Sequence, residues 1–483
     1  MFYSLRKKII TLLFFSFAAA SANAGQVPGP ASAPDIPISS RDRVYLSDQT
    51  SNTVSVVDPA AEKLLGVIRL GDPTPCNLSP LYKGQLLVHG AGFSPDHRTL
   101  VVVSVGSNSV AFVDTQTNRV KHISYVGRAP HEAFFTPNGK EVWVTVRGED
   151  FIQVLDGKTY QPTRRIQVPN GPGMTIFSPD GKYGYVCSSF TPETVVIDTK
   201  TYKIAGRVKQ ASPFCPDIAA TPDGKQVWFT LKDIGKTQVF NTKPPFATIA
   251  ELDTGPISNH VNIVRNAKGQ FAYVTIGGLN EVKVFTTTDN PELVAEIPVG
   301  ELPHGLWPSG DGTRIYVGLE NADAVTAIDT MSNKVVATIN SGQSPQGMVY
   351  IPNAVPNGEG TENLSPLGAS GEAVHLTLVS VATGKAQTSV AVNNQGLVDL
   401  LEAAVTGLEA KKPYLLALSN NADGSGLLDP LAKFMTNPSG AAIVVTVGPL
   451  RKAVQANEIS PRRYLVIAPL SEDKPGTPVQ VQR

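Results

Sequence analysis

The 483 residues are too many for one ordinary compact core unless the chain is built from repeats. Lys+Arg 41 against Asp+Glu 41 leaves no net charge, which argues against a nucleic-acid-binding or anionic-membrane-binding surface. The 42 Gly and 38 Pro imply dense turns and many short strands. Met1 to Ala24 reads as a secretory signal: Arg6, Lys7 and Lys8, then the apolar run Ile9 to Ala20, then Ala22-Asn23-Ala24. That run is shorter than the ~18–20 residues of a spanning helix, and no later stretch is long enough. An exported protein is expected, periplasmic or extracellular, three charges acidic once the signal is removed.

Residues 25–40 form a flexible lead-in rich in Pro, Ala and Ser. A pattern of strand, turn and strand then begins at Arg43–Leu70 and recurs. Its copies align on a polar turn: FSPDHR from Phe93, FTPNGK from Phe135, FSPDGK from Phe177, ATPDGK from Ala220, RNAKGQ from Arg265 and PSGDGT from Pro308. The Ser/Thr/Asn positions in these turns are Ser94, Thr136, Ser178, Thr221, Asn266 and Ser309, with steps of 42, 42, 43, 45 and 43. A constant period of this size marks a propeller or solenoid array, because one such unit cannot bury both of its faces alone. After the turns come VWVTV (Val142–Val146), YVCSS (Tyr185–Ser189), VWFTL (Val227–Leu231), YVTIG (Tyr273–Gly277) and YVGLE (Tyr316–Glu320). The following strands end in Asp58, Asp114, Asp156, Asp198 and Asp329, acidic residues suited to capping turns.

These motifs resemble the YVTN-type β-propeller repeat family, and the resemblance implies an all-β, seven-bladed β-propeller over residues 41–352. Seven sets of second-to-fourth strands are present, and the first lacks an inner strand. Gly347–Pro352 supplies it, so one blade shared by the two ends of the domain closes the ring. Residues 353–372 read as a linker, and 373–483 as a small β-rich, sandwich-like domain. Its predicted strands are Ala373–Val381, Ala386–Asn393, Pro413–Ser419, Ala441–Gly448 and Arg463–Pro469; Leu397–Leu408 fits a helix or a strand pair. The run TGLEAKKPYLLAL is similar to C-terminal sandwich domains of anti-sigma-K-type proteins.

Four of the seven His occupy nearly one place in the repeat. His89, His131 and His304 lie five residues before the Ser/Thr position, and His260 six before Asn266. There the chain crosses to the next inner strand, at one mouth of the channel, so these imidazoles are placed to form a partial ring. They come from blades 2, 3, 6 and 7, two adjacent pairs with the channel between them. Imidazole is the commonest ligand for Zn and Cu, so these four are the candidate metal ligands; the alternative is that the rings hydrogen-bond neighbouring blades. Gly173, Pro216-Asp217 and Gln346 stand at or beside this position in other blades. Cys76, Cys187 and Cys215 permit at most one disulfide, and spacing does not choose the pair.

The propeller of nitrous oxide reductase holds copper with channel-facing His, but its paired-His motifs are absent here. The Trp-rich repeat of quinone-dependent propeller dehydrogenases is also missing, as are phosphate loops, nucleophile elbows and His-Glu-x-x-His. No catalytic or cofactor-binding residue is therefore assigned. The expected role is a binding module that meets a protein, polymer or small-molecule ligand at the channel mouth. The alternative is a Cu- or Zn-binding or lactonase-like propeller enzyme that uses the His cluster.

Overall fold

The computed structural model describes residues 36–70, 86–368, 372–395, 398–455 and 461–483. The expected signal, most of the lead-in and the loop carrying Cys76 lie outside the described residues. Seven four-stranded antiparallel sheets form the blades of a propeller. Their inner strands are Pro345–Ile351 for blade 1, then Val88–Phe93, Pro130–Phe135, Pro172–Phe177, Ile218–Ala220, Ser258–Asn266 and Pro303–Pro308 for blades 2 to 7. Each inner strand runs from the His end of the channel to the Ser-Pro-Asp-Gly-type turn. In blade 4, Ser178 Oγ donates to Asp180 and accepts from the Tyr183 amide at 2.9 Å, while Gly181 takes φ +70°. The strand-ending Asp residues do cap turns, as Asp198 does by accepting from the amides of Lys200 and Thr201.

Blade 1 closes the ring as expected. Pro345–Ile351 pairs antiparallel with Arg43–Asp48, with Arg43 opposite Ile351 and Leu46 opposite Met348. The residues after it form an ordered strap. Arg98 donates to the carbonyls of Asn353 and Ala354, Arg43 to that of Glu359, and Asn118 to those of Gly360 and Glu362. Ser365 then bridges Val67 on the outer strand of blade 1. The strap thus climbs from the turn face to the His face and occupies a bare sheet edge on the way.

The C-terminal unit is one continuous sheet. From edge to edge its strands are Leu428–Met435, Pro413–Ser419, Tyr464–Ser471, Gln480–Gln482, Ala373–Ser380, Ala386–Asn394, Asp399–Val405 and Ala442–Gly448. The two edge strands lie side by side without a hydrogen-bond ladder, so the sheet is nearly closed on itself. Alternating strands are common to sandwiches and curled sheets, and connectivity decides between them. Leu397–Leu408 is neither a helix nor a strand pair, since Asp399–Val405 is a single strand between two neighbours. Leu428–Met435 was not expected as a strand, because Pro430 suppresses the pattern and is tolerated only at this edge.

This sheet sits on the His face of the ring. Asn321 donates to Ser389, Asn393 to Ser344 Oγ and Gln395 to the Thr50 carbonyl, and Ile257 and Leu302 pack against Ala404 and Ala441. His375 joins the two units most directly: Nδ1 donates to the Asn321 carbonyl at 2.6 Å, and Nε2 lies 3.4 Å from Asp323 Oδ2. The hydrogen bond and charge of Asp323 raise the His375 pKa, burial opposes the rise, and Glu301 adds to it. A raised folded-state pKa stabilises the docked form below the unfolded value near 6.5 and loses that contribution as pH rises through the folded value. The cap should therefore resist proteolysis better at pH 6 than at pH 8. His375→Gln should flatten this difference, and an unchanged difference in the variant would exclude His375 as its source.

Candidate functional site

The four His come together at the mouth. Ring centroids are 4.3 Å apart for His89 and His131, 4.8 Å for His260 and His304, and 6.2 Å for His89 and His304. The two pairs therefore meet across the channel and form one cluster. None of the four is more than 7% exposed. His97, His122 and His375 lie elsewhere in the fold.

Local sequence explains the convergence. In blades 3, 5 and 6 the Thr of the second strand ties the blade to the start of the next inner strand: Thr145 Oγ1 donates to Gly173, Thr230 to Asn259 and Thr275 to His304, all at carbonyl oxygens. In blade 4 this position is Cys187, and its sulfur is bonded to Cys215 at the start of blade 5. The disulfide stands where blades 3, 5 and 6 use a threonine hydroxyl. Glycine after the His position lets inner strands approach closely. A Cβ on Gly305 would lie 2.1 Å from the Gln346 carbonyl oxygen, and one on Gly347 2.1 Å from that of His89. Gly305→Ala should consequently cost about 1–3 kcal/mol or more, seen as a lower urea midpoint at unchanged slope.

The imidazoles are held in defined states. His131 Nδ1 is 2.8 Å from the Gly173 carbonyl, so that nitrogen carries the proton and Nε2 keeps its lone pair. His304 Nδ1 is 2.6 Å from Glu320 Oε2, and Gln346 Nε2 donates to the other oxygen of that carboxyl. His89 Nδ1 and His260 Nε2 are buried without a hydrogen-bond partner. Each of these rings has a carboxylate 3.8 Å from Nδ1: Glu132 beside His89 and Asp217 beside His260. Burial, reinforced by the neighbouring imidazoles or cations, holds all four His well below their usual pKa and hence neutral. Burial also raises Glu132 and Glu320, and pushes Asp217 up to about 8. One ligand atom each from His89, His131 and Glu132 lie within 4.8 Å of one another. Ligands around one tetrahedral ion stand ~3.3 Å apart at bonds of ~2.0–2.1 Å, a gap that modest side-chain rotation closes.

A second ring of side chains lies above the His. It is drawn from the position that follows the second strand of each blade, occupied by Gln49, Val105, Arg147, Ser189, Lys232, Gly277 and Glu320, of which Gly277 has no side chain and Ser189 donates to the Cys215 carbonyl instead. In blades 2 to 7 that residue falls eleven places after the Ser/Thr/Asn position of the turn. Gln49, Val105, Arg147, Lys232 and Glu320 line a cavity of about 530 Å³ with His89, His131 and His304. Its roof is the C-terminal sheet, through Glu402, Met435, Asn437 and Ala441 to Ile443. Glu402 is near enough to Glu320 to share a proton, and burial together with the Glu320 charge holds its pKa well above the usual range. Below the His ring, Phe134, Met174, Ile176, Leu306, Trp307 and Met348 fill the channel and leave about 20 Å³. That is space for roughly one water, so the site has an apolar floor.

A sequence model of the YNCE-like beta-propeller family matches residues 26–356. Among solved structures, the chain is similar to the hydrazine synthase of Kuenenia stuttgartiensis, at TM-score 0.52 and 21% identity, covering 63% of this chain and 96% of that one. It is also similar to a functionally unknown protein from Desulfotomaculum acetoxidans DSM 771, at TM-score 0.53 and 14% identity, over 63% and 98% of the two chains. At these identities the likeness concerns the fold alone. No curated protein sequence matches. Seven blades of this repeat, closed by a shared first blade and matched over most of the chain, identify it as a member of the YNCE-like beta-propeller family.

Proposed function

We propose that this protein is an exported binding module whose ligand is a transition-metal ion, Cu or Zn, held by His89, His131, His260 and His304 at the channel mouth. One observation carries this reading. Four neutral imidazoles from four blades converge, and His131 and His304 commit Nδ1 to a carbonyl and a carboxylate, which leaves Nε2 free to ligate. A carboxylate behind a ligating imidazole is the usual arrangement around bound metal, because it fixes the tautomer and raises the basicity of the ligand nitrogen. Glu132 adds an oxygen donor suited to Zn or Cu(II). The roof formed by the C-terminal sheet favours an ion or small molecule over a protein or polymer at this mouth. The sequence of Met1–Ala24 supports export, where metal would be met outside the cytoplasm.

The test is elemental analysis of protein purified without a His tag, after reconstitution with Cu(II) or Zn(II) and gel filtration. About one bound equivalent supports the reading, and less than about a tenth of an equivalent of either metal overturns it.

A further inference from the structure

Two cations face the cavity without a close ion pair among the described residues, the Arg147 charge being favoured only at longer range by Glu132. The Arg147 side chain makes no hydrogen bond or ion pair among the described residues, and its Nε is buried without a partner. The guanidinium lies over Phe214, 5.0 Å from the ring centroid, and 5.9 Å from that of Phe190, so its plane is fixed while its edge is free. Lys232 follows at the same repeat position in blade 5, and its amide is bonded to the Phe214 carbonyl. Its ammonium likewise makes no close ion pair among the described residues; burial disfavours its charge most, the more distant Glu320 and Glu402 carboxyls favour it, and Arg147 disfavours it. The carboxyls facing the cavity make their hydrogen bonds elsewhere, Glu320 with His304 and Gln346 and Asp233 with Ser212, and reach Lys232 only through longer-range attraction.

Two half-buried cations without a close counter-ion gain from an anion that joins them. A guanidinium fixed by stacking presents a planar fork that matches a carboxylate. Part of the remaining wall is apolar, with Val105, Phe214, Ile257 and Met435, and about 530 Å³ suits a small organic molecule. We infer that the cavity binds a small organic carboxylate, its charged end between Arg147 and Lys232 and its apolar body against Phe214, Ile257 and Met435. The inference extends the binding role proposed above but does not require the metal, and the two are tested separately.

The probes are benzoate and its neutral analogue benzamide, titrated calorimetrically into the full mature chain, both zinc-loaded and metal-free. Benzoate should bind both forms, at least about tenfold more tightly than benzamide. Arg147→Gln and Lys232→Gln should each weaken benzoate about 10–100-fold, the worth of one charged hydrogen bond. Equal binding of benzoate and benzamide by the unmodified protein, or no binding of benzoate, overturns the inference whether or not the variants fold. Indifference of benzoate to both substitutions in folded protein also overturns it. Benzoate discrimination in a protein that retains no zinc would leave the carboxylate site standing and remove only the metal.

Discussion

A chain ended at Ser344 should not fold. Such a truncation removes the inner strand of blade 1, Pro345–Ile351, and leaves Arg43–Asp48 without a partner on the channel side. Met348, Val349, Tyr350 and Ile351 are each at most 5% exposed, and burying four side chains of this size contributes roughly 6–12 kcal/mol. A whole domain is stable by only about 5–15 kcal/mol, so this one strand decides whether the ring exists. The Tyr350 hydroxyl also donates to Asp42, and Asn353 N to the same carboxylate, which ties both chain ends to one point. Circular dichroism and urea unfolding of this truncation should show no cooperative transition. A chain ended at Gly368 keeps the closing strand and most of the strap, and should still unfold cooperatively. If both truncations melt alike, blade 1 is not the closure of the ring.

The second large effect is expected for His131→Ala/His304→Ala. Each of these rings is the one in its pair whose Nδ1 is bonded to the scaffold, so the substitution removes both oriented Nε2 donors. Loss of a mere outer-shell partner commonly weakens metal affinity 10–100-fold, and loss of two ligands should exceed that. Cu or Zn retention should drop below about a tenth of an equivalent in variant protein that still unfolds cooperatively, at a lower midpoint because both rings are buried and hydrogen-bonded. Equal retention by variant and parent would show that the metal is held elsewhere. Glu320→Gln offers an intermediate case: the hydrogen bond to His304 is kept in form but its charge is lost, and an affinity loss of about 10–100-fold is expected.

The propeller was readable because its turns repeat. Pro, Asp or Asn, and Gly recur together at a fixed period, and each serves a backbone need that every blade shares. The His cluster was readable as a position, since three of the four His stand five residues before the same turn position. What the sequence left open was whether blades 2 and 3 reach blades 6 and 7. The answer lies in Gly305 and Gly347, where neighbouring backbones approach too closely for a side chain. Arg147, Lys232 and Glu320 escaped notice although they also share one position, because that position holds a different residue in every blade. Glu402 had no pattern to betray it: its strand follows no repeat, and docking of a second unit is a property of two surfaces rather than of local periodicity. Leu397–Leu408 was ambiguous for a related reason, since its apolar spacing suits a helix and the paired neighbours make it a strand.

The residue that follows each second strand has one further consequence. Gln49, Val105, Arg147, Ser189, Lys232, Gly277 and Glu320 differ in size, charge and polarity, yet the blades beneath them share one backbone. Five of them line the pocket above, so its chemistry changes from blade to blade on a common scaffold, whereas at Gly277 a Cβ would lie 2.7 Å from Asn259 and Leu302. At those five places ligand choice is written in a separate alphabet from folding, and can be respelled without renegotiating the architecture.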